Sequence, residues 1–244
     1  MTEFTIALAG RKIEIRAIYE TTRLYCKNYL TDGPADFVVA VSPEDIEFER
    51  EKSERENVVE GLPVQVFPPE YLETLAVYRK IADQMLRHDT FLFHGSAISV
   101  DGEGYLFTAK SGTGKSTHTR LWREHFGDRA VMINDDKPLL RVMEDHVLVC
   151  GTPWDGKHRI STNACVPLKG ICVLERATEN TIRRINMTEA LPMLLQQCHR
   201  PGNSEAMMRL LMLLDLTSKR TGLYRLGCNM DPEAAVVAYE GMKG

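Results

Sequence analysis

Between Phe91 and Asp136 the sequence reads FLFHGSAISV DGEGYLFTAK SGTGKSTHTR LWREHFGDRA VMINDD. Three groups of residues in this stretch could do chemistry together. They are His94 in an apolar run, the segment Ala109-Lys-Ser-Gly-Thr-Gly114-Lys115-Ser116, and the paired Asp135 and Asp136 that close a second apolar run. The glycine-rich segment fits the pattern of a phosphate-binding loop, with Ala109 at a position where glycine is usual. Gly112 and Gly114 would let the backbone turn tightly and bring its N–H groups against phosphate oxygens. Lys115 would supply a cation for the β- and γ-phosphates, and the Ser116 hydroxyl a ligand for Mg²⁺. Ser111, Gly112, Thr113, Gly114, Lys115, Ser116 and Thr117 are therefore the expected nucleotide-binding residues.

The elements around this loop must position it. Gly104–Thr108 alternates like a strand, and Ser116–Phe126 can be helical. The loop then lies at a helix N-terminus, where anions are favoured. The two aspartates stand where a neighbouring strand should end, and carboxylates at such an end project into the crevice where α/β sheets bind ligands. One of them would join Ser116 in holding metal and the other would accept a proton from an attacking hydroxyl; spacing does not separate the two roles, and the working assignment is Asp135 for metal and Asp136 for the base. By itself an aspartate pair is a turn or a helix cap, and a histidine beside apolar residues is a core residue.

The neighbours of His94 give it another reading. His94-Gly-Ser-Ala, the hairpin Asp101-Gly-Glu-Gly104, Ser111-Gly-Thr-Gly-Lys-Ser116 and Asp135-Asp136 together resemble the catalytic core of HPr kinase/phosphorylase. The loop is also similar to that of ATP-dependent phosphoenolpyruvate carboxykinase. The resemblance implies an α/β fold: a phosphoenolpyruvate-carboxykinase/HPr-kinase-like P-loop core with a mixed sheet. It further implies that His94, Lys115, Ser116, Asp135 and Asp136 converge on one site. It covers about a third of the chain. The Arg-Gly-Leu-Gly signature of the HPr enzymes has no counterpart here, and neither do the substrate-binding arginines and metal-binding lysine of the longer carboxykinases. The chain looks more like small HPr-kinase-related proteins, some of which phosphorylate peptide serines.

Composition narrows the class. With 43% hydrophobic and 26% charged residues the chain has the make-up of a globular protein rather than a disordered one. A net charge of −4 without a basic run speaks against nucleic acid as a partner. No apolar stretch reaches membrane-spanning length, and MTEFTIALAG lacks a signal pattern, so no membrane association is expected. The six cysteines, at 26, 150, 165, 172, 198 and 228, include no CxxC. They read as small buried hydrophobes in a reducing compartment, and the expected location is cytoplasmic.

Two regions are expected. Residues 1–68 form a small strand-rich N-terminal region, with strands at Phe4–Leu8, Lys12–Ala17 and Asp36–Val41. The mixed-charge run DIEFEREKSERE that follows reads as a solvated helix or loop. Residues 69–244 form the nucleotide-binding core. Pro69 opens a helix over Glu70–Arg87. Strands follow at Pro138–Val142, His146–Cys150 and Val166–Glu175, helices at Thr188–Cys198 and Ser204–Lys219, a strand at Gly222–Leu226, and a helix at Pro232–Met242 capped by Asp231. Pro192 reads as lying near a first turn, and the methionine- and leucine-rich face after Ala206 as core.

The loop GTPWDGKHR (Gly151–Arg159) carries two cations, Lys157 and Arg159, either of which could neutralise charge beyond Lys115. The expected function is a kinase that uses ATP and Mg²⁺ to phosphorylate a hydroxyl-bearing acceptor, either a serine of a protein or peptide or a small alcohol. Its catalytic residues would be Asp136, His94 and Lys115 with Lys157 or Arg159. A carboxykinase-like phosphoryl transfer and a non-catalytic nucleotide-sensing module are the alternatives. The resembling families form homo-oligomers, though no motif here requires one.

Overall fold

The structure, a computed structural model, describes residues 1–60, 65–110 and 112–243. Ser111 lies outside the described residues. A hairpin opens the chain: β1 (Thr2–Leu8) and β2 (Arg11–Ala17) pair with Leu8 opposite Arg11. Its two turn residues, Ala9 (φ 47°) and Gly10 (φ 73°), are both left-handed, as a type I′ turn requires. Then come α1 (Glu20–Tyr25), β3 (Phe37–Ala40) parallel to β2, α2 (Pro43–Glu60) and α3 (Pro69–Met85). The three strands expected here are present, whereas α1 has no sequence signal. Its N-terminus lacks a cap of its own, and the fully buried Glu73 of α3 serves instead. That carboxylate accepts from the N–H groups of Ile18 and Tyr19 and from the Thr22 hydroxyl.

The mixed-charge run is α2, and it is not simply solvated. Glu49 is buried and accepts from Arg79 Nε at 2.5 Å, while Asp45 pairs with Arg79 at 3.1 Å and with Lys80 at 2.5 Å. Charge here ties α2 to α3. A helix wheel does not show this, because the buried face is itself ionic.

The chain folds as two units, Met1–Gln84 and Met85–Gly244. The second unit is built on a nine-stranded mixed sheet. Its elements are β4 (Thr90–Leu92), β5 (Ser96–Val100), β6 (Glu103–Thr108), α4 (Lys115–Phe126), β7 (Ala130–Asn134), β8 (Leu139–Val142), β9 (Val147–Cys150), β10 (Cys165–Arg176), β11 (Thr181–Arg184), α5 (Met187–Gln197), α6 (Ser204–Arg220), β12 (Gly222–Cys228) and α7 (Glu233–Met242). One run of neighbours is β7-β5-β6-β10-β12-β11, in which β6, β10 and β12 are parallel and the remaining pairs antiparallel. The first residues of β10 pair with β9, from which β8 and β4 continue.

Successive residues of the central strands feed two cores, as the period of a strand dictates. Leu106, Ile171, Val173 and Leu223 pack with Leu194 of α5 and Leu210, Leu213 and Leu214 of α6. Tyr105, Phe107, Cys172 and Leu174 pack with Leu121 and Trp122 of α4 and with Ala234, Ala235 and Ala238 of α7. Helices thus cover both faces, which explains the continuous apolar runs of β6 and β10.

Several expectations need correction. Pro192 lies in the second turn of α5, not the first, because the helix starts at Met187 behind an Asn186 cap. No side chain caps α7; Asp231 contributes only its backbone carbonyl, to the N–H of Ala234. The α6 face divides: Leu210, Leu213 and Leu214 are buried and Leu211 half-buried, but Met208 and Met212 are exposed. Strand β11 has no sequence signal, since TIRR carries one apolar residue and is specified by its pairing with β12.

The cysteines give the largest departure. Cys150 and Cys165 face each other across the β9–β10 ladder and form a disulfide, and Cys165 is exposed. The reading of all six as buried thiols therefore fails for this pair, because residues 15 apart in sequence are brought into register by strand pairing. Cys26, Cys172 and Cys198 are buried and take no part in a disulfide. Among the described residues no helix is long and apolar enough to cross a membrane. The oxidised protein should be lighter than its reduced form by the mass of two hydrogens. It should also lose up to about 3 kcal/mol of stability in urea when reductant or C150A/C165A opens the bond. Equal stability in both redox states would show that the cross-link does not constrain the unfolded chain.

Candidate functional site

Strands β6 and β7 run in the same direction, because each is antiparallel to β5, which lies between them. The glycine-rich loop after β6 and the aspartates after β7 therefore open on the same end of the sheet, although the two strands are not neighbours as the sequence suggests. The intervening β5 supplies the link. Ser96 Oγ donates to Asp135 Oδ1 at 2.6 Å and lies 3.0 Å from Thr119 Oγ1 on α4, and all three side chains are buried.

The loop has the backbone its glycines allow. Gly112 (φ 73°) and Gly114 (φ 118°) are left-handed, and α4 starts at Lys115 with no side-chain cap, so its first N–H groups are open to an anion. A Cβ built on Gly112 would meet nothing within 4 Å, so space stands open above it. Arg176, at the end of β10, holds the loop by donating to the Gly112 carbonyl at 2.7 Å.

Around Asp136 the side chains converge. His94 Nε2 lies 3.3 Å from Asp136 Oδ1, and Lys137 Nζ lies 4.0 Å from Oδ2. Burial would push this carboxyl up, but hydrogen bonding with His94 and the charges of Lys137 and Lys115 outweigh it and hold it below its ordinary range. Lys115 is itself pushed down by burial, against the pull of Asp136 and Asp135. His94 follows β4 and is fixed through its backbone: its N–H donates to Gln197 O at 2.7 Å and its carbonyl accepts from Thr108 Oγ1.

Asn134 shapes the turn that presents the aspartates. Its Oδ1 accepts from the N–H groups of Asp136 and Lys137, and its Nδ2 donates to Thr152 O and Oγ1. That second contact draws in the loop between Cys150 and Cys165. Trp154 anchors this loop in a buried position, and Asp155 is buried with it. Gly151 has no room for a side chain, since a Cβ would lie 2.0 Å from Thr162 O. Burial, and more weakly the charge of Asp136, push the Asp155 carboxyl up against the hydrogen bond it accepts from Ser161 Oγ. Arg159 pairs with Asp155 at 3.1 Å and donates to Pro153 O, and Lys157 is exposed at the loop tip.

The structure thus brings together His94, Lys115, Asp135 and Asp136, with Ser116 and Thr117 in the first turn of α4. Sequence reasoning missed Ser96, Asn134, Lys137 and Asp155. Lys137, adjacent to the pair, was the one legible signal. Among the described residues no three His, Cys, Asp or Glu side chains form a metal-holding group. The donors fit Mg²⁺ rather than a metal caged by protein alone, since that ion takes one or two carboxylates and completes its shell with water and phosphate.

Two cavities flank α4. The larger, about 500 Å³, lies at the carboxyl ends of β10 and β12 beside the loop, and Thr117, His118, Leu121, Leu174 and Met230 are among its lining residues. The smaller, about 240 Å³, lies on the Asp135 side.

No protein-family model and no curated protein matches this chain. Among solved structures it is similar to the Hpr(Ser) kinase/phosphatase from Coxiella burnetii, at 9% identity over 63% of this chain and 99% of that one, with a TM-score of 0.34. This is a distant structural relationship and no more.

His118 generates a prediction. Trp122 Nε1 donates to its Nε2 at 3.0 Å, so its proton sits on Nδ1, which is buried with no partner among the described residues. Burial lowers its pKa to about 4 from an unfolded value near 6.5. The unfolded chain therefore binds this proton first as pH falls. Stability should drop between pH 6.5 and about 4, by up to about 1.4 kcal/mol per pH unit. Urea titrations should show this slope in wild type and not in His118→Gln. Parallel profiles would mean that His118 is protonated in the fold.

Proposed function

We propose that this chain is a kinase that binds ATP with Mg²⁺ and transfers the γ-phosphoryl group to a hydroxyl. The observation that carries the reading is the Asp136 carboxylate, held in its charged form by His94, Lys137 and Lys115 beside an uncapped helix start and two left-handed glycines. A half-buried carboxylate kept ionised can take a proton from an alcohol as the alcohol attacks.

The phosphates would lie over residues 111–117, with the γ end toward the aspartates and the nucleoside in the 500 Å³ crevice on the opposite flank of α4. That crevice stands at the carboxyl ends of parallel strands, where α/β sheets take ligands, and its size suits a nucleoside. Ser116 and Asp135 would hold Mg²⁺, which offsets charge on the phosphate oxygens. The acceptor oxygen bonds to the γ-phosphorus, the bond from that phosphorus to the bridging oxygen breaks, ADP leaves, and the hydroxyl proton passes to Asp136.

Lys115 would stabilise charge on the phosphate, and His94 would orient Asp136. The cation accompanying Lys115 would be Lys137, with Lys157 or Arg159 available from the exposed loop. Residues 69–244 hold all of this chemistry, and residues 1–68 none of it.

Single-turnover assays with ATP, Mg²⁺ and serine peptides or small alcohols test this. Asp136→Asn should slow transfer by roughly 10²–10⁴-fold while ATP still binds. Tight ATP binding with no transfer to any acceptor, and no effect of Asp136→Asn, would leave a nucleotide-binding module instead.

A further inference from the structure

The cavity on the Asp135 side of α4 is lined in part by Ser116, Thr119, Arg120, Arg123, Asp135 and His158. One end meets the residues assigned to metal and phosphate. Arg120 and Arg123 bring two guanidinium groups to the same lining, against the single carboxylate of Asp135 among the described residues. Among the described residues Arg120 pairs with Glu124, at 2.5 Å, in a pair that is half exposed on both sides and that a better-placed anion can displace. Arg123 has its Nε buried with no hydrogen-bond partner among the described residues. A guanidinium carries five N–H donors, and one that lines a cavity is matched by a carboxylate or phosphate through charge-assisted bonds. Met132 and Ile160 supply apolar wall.

The nucleotide does not account for this cavity. If its γ end faces the aspartates and its nucleoside the opposite flank, the space beyond Asp135 is left to the acceptor. Resting on the kinase reading above, we propose that the cavity receives an anionic group, carboxylate or phosphate, carried by the phosphoryl acceptor at a fixed distance from its reactive hydroxyl.

The spacing follows from the helix. Ser116 and Arg123 are two turns apart, about 10 Å at 1.5 Å per residue. An extended peptide covers that in about three residues. The preferred peptide therefore carries its acid roughly three positions from the serine.

The test uses blocked peptides with one serine and, three residues before or after it, aspartate, phosphoserine, asparagine or lysine. Initial rates are measured with acceptor and ATP varied separately. For wild type the anionic peptide should show an acceptor KM roughly tenfold below its asparagine counterpart. The phosphoserine and aspartate arms tell phosphate from carboxylate. Arg123→Gln and the exposed Arg120→Gln should each erode this preference, and Arg123→Glu should turn it toward lysine, with the change in acceptor KM rather than ATP KM. Equal KM values for aspartate and asparagine peptides at both spacings would overturn the proposal. So would a preference that survives both arginine variants, or a rise confined to ATP KM, which would give the cavity to the nucleotide. If no peptide is phosphorylated, the kinase reading is what fails. Calorimetric binding of the same peptides then decides the charge preference separately, and equal binding overturns it.

Discussion

Two adjacent carboxylates, Asp135 buried and Asp136 half-buried, must be held in place although burial disfavours charge. The surroundings of Asp135 and Asp136 resolve this with different partners. Asp135 takes a short hydrogen bond from a buried serine hydroxyl. Asp136 is flanked by an imidazole and two ammonium groups, which leave it more acidic than an ordinary aspartate. Neither solution is local. Ser96 comes from β5, Thr119 and Lys115 from α4, and His94 from the segment between β4 and β5. The loop, the histidine segment and three sheet elements are tied together because the pair needs all of them.

The sheet makes that gathering geometrically cheap. Placing β5 antiparallel to both β6 and β7 brings the carboxyl ends of the outer two to one side, with the amino end of β5 between them. The serine at that amino end then falls naturally between loop helix and aspartates. On the other side of β6, parallel pairing with β10 and of β10 with β12 opens the larger crevice at their carboxyl ends. Helix α4, which starts at the loop, contributes residues to both cavities.

The disulfide-closed segment 150–165 is the third contributor. It reaches the site through Asn134, whose amide shapes the aspartate turn with one end and holds Thr152 with the other. Gly156 presses on Asp136, with room for no more than a tight Cβ contact at 3.0 Å. A loop that reads as a cation-bearing flap therefore acts largely through its backbone and its buried Trp154 and Asp155, while Lys157 and Arg159 sit at its exposed tip.

The sequence alone determined the strand–loop–helix around Gly112 and Gly114, the strand that ends just before Asp135, and most helices and strands of both units. These are local matters: positive φ demands glycine, and burial imposes a period of two or 3.6. It also marked His94, Lys115 and Asp136 as belonging together, through their spacing and a family resemblance. It could not show that β5 intervenes, that Ser96 and Asn134 hold the aspartates, that Lys137 stands beside Asp136, or that Cys150 meets Cys165. Nor could it show strand β11, the ionic face of α2, or the cavity lined by Arg120 and Arg123. Each of these depends on which distant segments pair and in what register, and a hydroxyl, an amide or a thiol looks the same in sequence whatever it meets. Only closing the sheet and packing helices on both its faces decides those meetings.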